Sequence, residues 1–514
     1  MKFNRYFIIG GLALTLGMTS CVGDLNVTPD DPNTKLSLSS KEEYLGVLSR
    51  AYGGLVLEGG ITVDDGGAGT YMRQLFNQQE LASDEAIVGL NWDDAGIQEM
   101  GYAIPGKDNH WGYEMYSRIN YQIALCNEFL RTIDKGSEFF SDAEIAEMKA
   151  EVRVLRDLSY YHMIDIFGKG PWTTEESLVG AIPPTYSRSE LFDAVTADLV
   201  EAAPQVYPAA QQEYGRVSRE AAYMLLAKLY LNAEVYTGTG KWQECADACK
   251  QVTSTGITLA SEYKYLFCGT NDKYVGNGEI LWGVPQGPNL TCWGGTTYLS
   301  VGAYNANASD QFVSYGYTSS VNVWNGPRVR PELSQALASN DKRRLIYEGS
   351  FQENLEDLSS WNADGDGYMC IKYVNTDESD YYNQNNTVIC EAGEQTDTDF
   401  PVFRLADTYL MLAECQLHGV SCDGVNYYNM VRTRAGLAPV SSYTADDLLK
   451  ERLCELYWEG HRRSDLIRFG KYTGSNYNWQ WKGGVYDGTA LASYRDLMPI
   501  PAQFETTLGQ NPGY

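Results

Sequence analysis

The sequence predicts a mainly α-helical protein, built from helix pairs of the tetratricopeptide kind with a loop-rich recognition region laid over them. Three observations carry that expectation. In the last quarter of the chain Leu405, Tyr409 and Leu412 recur at helical spacing, as do Leu449, Leu453 and Leu456. Ala406 and Ala413 flank the first stripe, where small side chains let a second helix approach closely. Between about residues 256 and 398 the pattern changes: Gly, Asn, Thr, Tyr and Trp dominate, and long periodic helices vanish. No clean repeat length accompanies the helix pairs.

Taken in order, a first helix is expected over about 41–57, and the glycines of EGGITVDDGGAGTY then mark a loop. A second helix is expected over about 112–135. Ser141 and Glu144 form a capping box ahead of the stripe Ile145, Met148, Val152 and Leu155, and the helix breaks in DIFGKGPW. Residues 188–206 read as another helix. Ser218 opens the next, with the stripe Ala222, Leu225, Leu229 and Ala233, and Trp242 to Thr253 forms its partner. Residues 405–435 read as a second helical hairpin with Gly419 at its turn, and Thr444 with Asp447 starts a further helix. That helix carries Glu451, Glu455 and Glu459 at four-residue spacing, close to Arg452, Arg462, Arg463, Asp465 and Arg468. Such carboxylates suit metal or acid–base chemistry, but no His or Cys stands at ligand spacing and arginines abound, which favours a structural ion-pair network.

The 514 residues allow several domains, yet no Pro/Ser-rich linker interrupts them, so one globular unit is expected over 21–514 after a leader at 1–20. A net charge of −28 argues against nucleic acid as a partner. Eleven Trp and 38 Tyr supply flat faces with a polar handle, which suit sugar rings as well as cores. Lys2 and Arg5, an apolar run from Phe7 to Leu16, and MTSC ending in Cys21 make a secretory leader too short to span a bilayer as an anchor. Cys21 reads as the lipidated first residue of a bacterial lipoprotein; ordinary cleavage near Ser20 is the alternative.

The other cysteines form no CxxC pair. Cys245 and Cys249, one turn apart, read as core, while Cys415 with Cys422 and Cys370 with Cys390 are candidate disulfides. Catalysis finds little support. The four histidines, His110, His162, His418 and His461, accompany no nucleophile motif, phosphate loop or zinc signature, and nothing singles out a glycosidase carboxylate pair. No cofactor is expected beyond Ca2+. Asn362, Asp364, Asp366 and Gly367 begin like a calcium loop, but Tyr373 stands where its carboxylate is due, so a turn is expected; Asp272 with Asp423 is a weaker pairing.

RLADTYLMLAEC, NMVRTRAGL, ERLCELYWEGHRRSDLIRFG and MPIP…NPGY, in this order, resemble the C-terminal half of the SusD/RagB family, and the likeness runs from the leader to Tyr514. WQWKGGVYDGTALASY is especially similar to starch-binding members. The resemblance implies a SusD-like α-α superhelix on a lipoprotein of the outer membrane, anchored at Cys21 and facing the cell exterior. It implies a non-catalytic protein that captures starch or maltooligosaccharides and passes them to a SusC-like TonB-dependent transporter. A different glycan or peptides, or a glycoside hydrolase, are the rival readings. In starch-binding members an α-glucan rests on an arc of two Trp and one Tyr, helped by an Arg and an Asn. CWGGTTYLS matches the Tyr segment, so Trp293 takes that place; SVNVW supplies Trp324 and TYMRQLFN supplies Arg73. Trp92 falls into position with about one inserted residue, which leaves Asp93 or Asp94 where the family has Asn.

Overall fold

Local signals in the sequence set most helix starts. Ser40 caps α1 (Lys41–Gly53), and Thr70 caps α2 (Tyr71–Phe76), which runs on as a π-helical turn over Asn77–Leu81. After β1 (Ala86–Ile87) and the short α3 (Ile97–Gly101), Asn109 caps α4 (His110–Ile133) by accepting from the Trp111 and Gly112 amides. The capping box of Ser141 and Glu144 opens α5 (Asp142–His162), whose π-helical extension stops at Gly168, where φ is +72°. A hairpin of β2 (Lys169–Pro171) and β3 (Thr185–Ser187) leads to a second capping box, Ser187 with Glu190, and α6 (Arg188–Ala202). α7 (Arg219–Leu231), the short α8 (Ala233–Thr237) and α9 (Trp242–Thr253) follow. This computed structural model describes residues 38–59, 69–90, 92, 94–287, 293–359, 367–385 and 395–514.

The described residues between 256 and 398 hold only short elements: β4 (Ile280–Val284), α10 (Thr296–Leu299), β5 (Arg328–Val329), α11 (Pro331–Ala336), β6 (Ile346–Tyr347) and β7 (Met369–Cys370), with 3-10 turns between them. Regular helices return after β8 (Phe400–Arg404), as α12 (Leu405–Leu417), α13 (Gly424–Arg434), α14 (Ala445–Leu456), α15 (Arg462–Arg468) and α16 (Ala502–Leu508). All named strand pairs are antiparallel and two-stranded: β1 with β5, β2 with β3, β4 with β8, β6 with β7. The fold is therefore mainly helical, as the stripes predict. α7 packs on α9, α12 packs on α13, and α9 packs against α12, so the two helical hairpins adjoin. One buried apolar cluster runs from Tyr44 on α1 to Ile500.

The carboxylate row is the structural network expected of it, with one correction: α14 ends at Leu456, so Glu451 and Glu455 lie on the helix and Glu459 on the turn after it. Glu455 meets Arg404 at 2.9 Å, Arg434 at 2.5 Å and Arg343 at 3.3 Å; Glu451 meets Arg343 at 2.6 Å; Glu459 meets Arg404 at 2.6 Å and Lys372 at 2.7 Å. Arg452 bridges Asp407 and Asp465, both at 2.8 Å. Arg462 reaches back to Asp84 at 2.6 Å. Arg463 departs from the pattern and donates to the Arg495 and Asp496 carbonyls. Taking so many charges out of water is tolerable because, Arg463 aside, each of these meets an opposite partner.

Two expectations are corrected. Cys415 and Cys422 form no disulfide: both are buried free thiols, and the Cys422 thiol donates to the Leu412 carbonyl at 3.1 Å. Cys370 is likewise a free thiol, while Cys390 lies outside the described residues. The first helix ends at Gly53, short of Leu57. The calcium-loop residues Asn362, Asp364 and Asp366, and Cys21 with its leader, lie outside the described residues. Among those described, no group of three or more His, Cys, Asp or Glu is placed to hold a metal ion, and no helix is long and apolar enough to cross a membrane.

Candidate functional site

The three candidate tryptophans come from three distant segments, and the chain brings them together. Trp293 and Trp324 have ring centroids 6.0 Å apart at an interplanar angle of 57°. Trp324 also faces the buried Tyr298 ring at 6.3 Å. Trp92 lies over Gly326: a Cβ built there would stand 2.8 Å from the Trp92 Cη2 and Cζ3 atoms. All three indoles are half-buried.

Each indole is held by its own local device. The segment 324–326 runs beside 301–304, with amide-to-carbonyl bonds Trp324 to Val301, Asn325 to Tyr304 and Gly326 to Gly302 at 3.2, 3.0 and 2.8 Å. Glycine is required at both 302 and 326. A Cβ at Gly302 would stand 2.9 Å from Trp324 Cε3, and one at Gly326 would stand 2.2 Å from the Gly302 carbonyl oxygen. The Trp293 turn is fixed to the α2 cap, because the Thr70 hydroxyl donates to the Gly294 carbonyl at 3.0 Å. The Trp293 amide donates to Glu58 Oε1 at 3.3 Å. Trp92 is tied down by its indole N–H, which donates to Asp94 Oδ2 at 2.5 Å.

Arg73 sits beneath this layer instead of at its surface. Its guanidinium pairs with the same Asp94 Oδ2 and lies over the Tyr298 ring at 4.5 Å and the Trp111 ring at 5.2 Å. At 6% exposure it is part of the platform's underside. Among the described residues its Nε has no hydrogen-bond partner. Burial pushes the Tyr298 phenol up to about 12, so that ring stays neutral beneath the cation. Asp93 lies outside the described residues, and the acidic group that the structure joins to Trp92 and Arg73 is Asp94.

Sequence reasoning did not single out Gly302, Gly326, Tyr298, Trp111 or Glu58. Only the close approach of backbone to indole reveals why the two glycines matter, and no periodicity announces it. The histidines serve elsewhere. His162 is buried with Nδ1 2.7 Å from the Tyr71 hydroxyl, and burial lowers its pKa to about 3. His461 packs against Lys228 at 2.9 Å, and His418 stacks on Trp242 with ring centroids 3.6 Å apart.

Residues 304–514 of the chain match the SusD family model, and residues 64–231 match a second model described as starch-binding, associating with outer membrane. Across nearly its full length it is similar to the starch-binding protein SusD of Bacteroides thetaiotaomicron, 29% identical over 98% of this chain and 97% of the relative. Among solved structures it resembles surface glycan-binding protein A from Bacteroides uniformis, with a TM-score of 0.71 and 21% identity, covering 92% of this chain and 99% of that one. It also resembles the Bacteroides thetaiotaomicron surface glycan-binding protein A in complex with laminarihexaose, with a TM-score of 0.68 and 19% identity over 92% of this chain and 100% of that one. These relatives are named for binding starch or glycan.

Proposed function

We propose that this protein captures starch-type α-glucan on the indole cluster of Trp92, Trp293 and Trp324, outside the cell, and hands it to a SusC-like TonB-dependent transporter. Cys21 is the lipid anchor that keeps it at the outer membrane. The observation that carries the reading is the adjacency of three half-buried indoles drawn from segments more than 30 residues apart. Similarity to a starch-binding relative over nearly the whole of both chains supports the choice of ligand.

A glucose ring has C–H groups on its faces and hydroxyls around its rim. The faces lie on the indoles, where removing apolar area from water stabilises the complex by about 25 cal/mol per Å2. The tilt between Trp293 and Trp324 suits a chain that curves, because successive residues of an α-glucan turn relative to one another. Asp94 accepts from Trp92 and Arg73 through Oδ2, which leaves Oδ1 for a sugar hydroxyl at the platform's edge. Arg73 acts through Asp94, as a positioning residue, and Asp93 is a further candidate for a rim contact.

The test is affinity electrophoresis in gels containing amylopectin, laminarin or dextran. Wild-type protein is retarded by amylopectin, and Trp293→Ala and Trp324→Ala each abolish the retardation with unchanged melting temperatures. Retardation by laminarin alone would replace starch with a β-glucan, and unchanged retardation of both variants would remove the indole cluster from the site.

A further inference from the structure

The hairpin between β2 and β3 carries a feature that glycan capture leaves unexplained. At its tip Leu178, Val179 and Ile182 are 81%, 85% and 86% exposed. Three large aliphatic side chains this far out of the core, within five residues, are an exposed apolar patch that water alone does not favour. The tip stands on a stiff base. Trp172 stacks on Tyr186 at 5.8 Å and packs against Tyr160 at 4.7 Å, and the Tyr160 hydroxyl donates to the Thr173 carbonyl at 2.9 Å. Arg131, in the last turn of α4, donates to the carbonyls of Thr174, Glu175 and Ser177 at 3.1, 3.0 and 3.3 Å. Beside the root of the hairpin lies an apolar crevice of about 240 Å3, lined by Tyr116, Pro171, Pro183, Phe504 and Leu508 among others.

We propose that this tip and crevice are the surface by which the protein docks onto a membrane-resident protein partner that offers an apolar socket with a basic rim. Its position favours the membrane side. The turn from α4 into α5, shortly after the arginine that holds the hairpin, meets the start of α1: Tyr44 packs on Phe139 and Phe140 at 5.8 and 6.0 Å, and Lys41 pairs with Glu144 at 3.6 Å. Leu38, where the described chain begins, follows Cys21 by 17 residues, a tether of at most about 60 Å when fully extended. The docking end is therefore within the tether's reach of the lipid. Charge selects protein over lipid. No Lys, Arg or His occurs from Gly170 to Ser187, the arginines behind the hairpin are taken up by it (Arg131 by its carbonyls, Arg156 by Glu175 at 2.6 Å), Glu176 flanks the tip, and the whole chain carries −28, a charge balance that disfavours anionic headgroups.

This docking surface presupposes the transporter partnership proposed above, and its test separates the two. The full-length lipoprotein is titrated onto the SusC-type transporter of the same cell in nanodiscs, beside the variants L178S/I182S and Glu176→Lys. Wild type associates, L178S/I182S associates at least tenfold more weakly, and Glu176→Lys is weakened to a lesser degree. Both variants keep wild-type melting temperatures and polysaccharide retardation. Equal association of wild type and L178S/I182S overturns the docking surface and leaves the partnership standing. No association even of wild type overturns both. Vesicles of phosphatidylethanolamine and lipopolysaccharide that bind the unlipidated wild type but not L178S/I182S would assign the tip to lipid and overturn the protein socket.

Discussion

At the residue scale Asp94 is one of the two acidic residues that stand, by resemblance, where the family has Asn, and it brings a charge. One carboxylate oxygen accepts from both the Trp92 indole and the Arg73 guanidinium, so a single side chain sets the pose of an aromatic and neutralises the cation beneath it. Asp94→Ala frees Trp92 and leaves Arg73 buried without its partner; loss of a charged hydrogen bond of about 1.5 kcal/mol corresponds to roughly tenfold weaker glucan binding by calorimetry. Asp399 is a second residue with a measurable signature. It accepts from the Gln286 amide at 2.9 Å and from the Tyr214 hydroxyl. Burial, with Asp272 and Asp397 nearby, raises its pKa from the ordinary carboxyl value to about 7. Folded protein thus holds a proton there that unfolded chain releases between about pH 4 and 7. The stability this contributes is full below about pH 4 and is lost as pH rises through about 7. In thermal melts Asp399→Asn flattens that decline, so the variant gains on wild type from pH 5 to pH 8; a constant difference across the range contradicts this assignment.

At the scale of elements, the long helices were legible because their signals are local. The capping boxes at Ser141 and Thr444 open α5 and α14 as read, and the stripes along α7 and α12 face the core. The site was legible only through family resemblance. What joins it is non-local: the Thr70-to-Gly294 bond spans 224 positions, and the ladder between 301–304 and 324–326 has no periodic pattern. Choosing between Asp93 and Asp94 from the sequence was a matter of one residue of register in a loop. The buried position of Arg73 was hidden too, because an arginine in TYMRQLFN reads as exposed until Trp111 and Tyr298 close over it. The glycine pair gives a prediction at this scale. Gly326→Ala drives a methyl group into the Trp92 ring and the Gly302 carbonyl, costing about 1–3 kcal/mol in denaturant unfolding and displacing Trp92. Affinity for maltooligosaccharide falls with it, whereas alanine at the open Gly106, whose φ is not positive, changes neither.

Across the whole molecule, buried charge links segments far apart in the chain. Glu455 gathers Arg343, Arg404 and Arg434, and the Arg404 fork also meets Glu279 at 2.8 Å, so the region between the helical hairpins is fastened to the C-terminal helices by ion pairs as well as by apolar contact. Burial opposes ionisation of Glu455, yet those three guanidiniums outweigh it and hold its pKa at about 2. Asp465 is held at about 2 in the same way by Arg452 and Arg468. Their stabilisation is present above the ordinary carboxyl range and is lost as pH falls through about 2. Glu455→Ala takes one carboxylate from three buried arginines, which keep Asp341, Glu451, Glu279 and Glu459 as partners, and the excess of buried positive charge it leaves costs about 3–5 kcal/mol in urea unfolding. The most direct test is a crystal structure with maltoheptaose bound: the account predicts glucose rings lying on Trp92, Trp293 and Trp324 with a hydroxyl on Asp94, and a glucan ordered elsewhere with those indoles bare would contradict it.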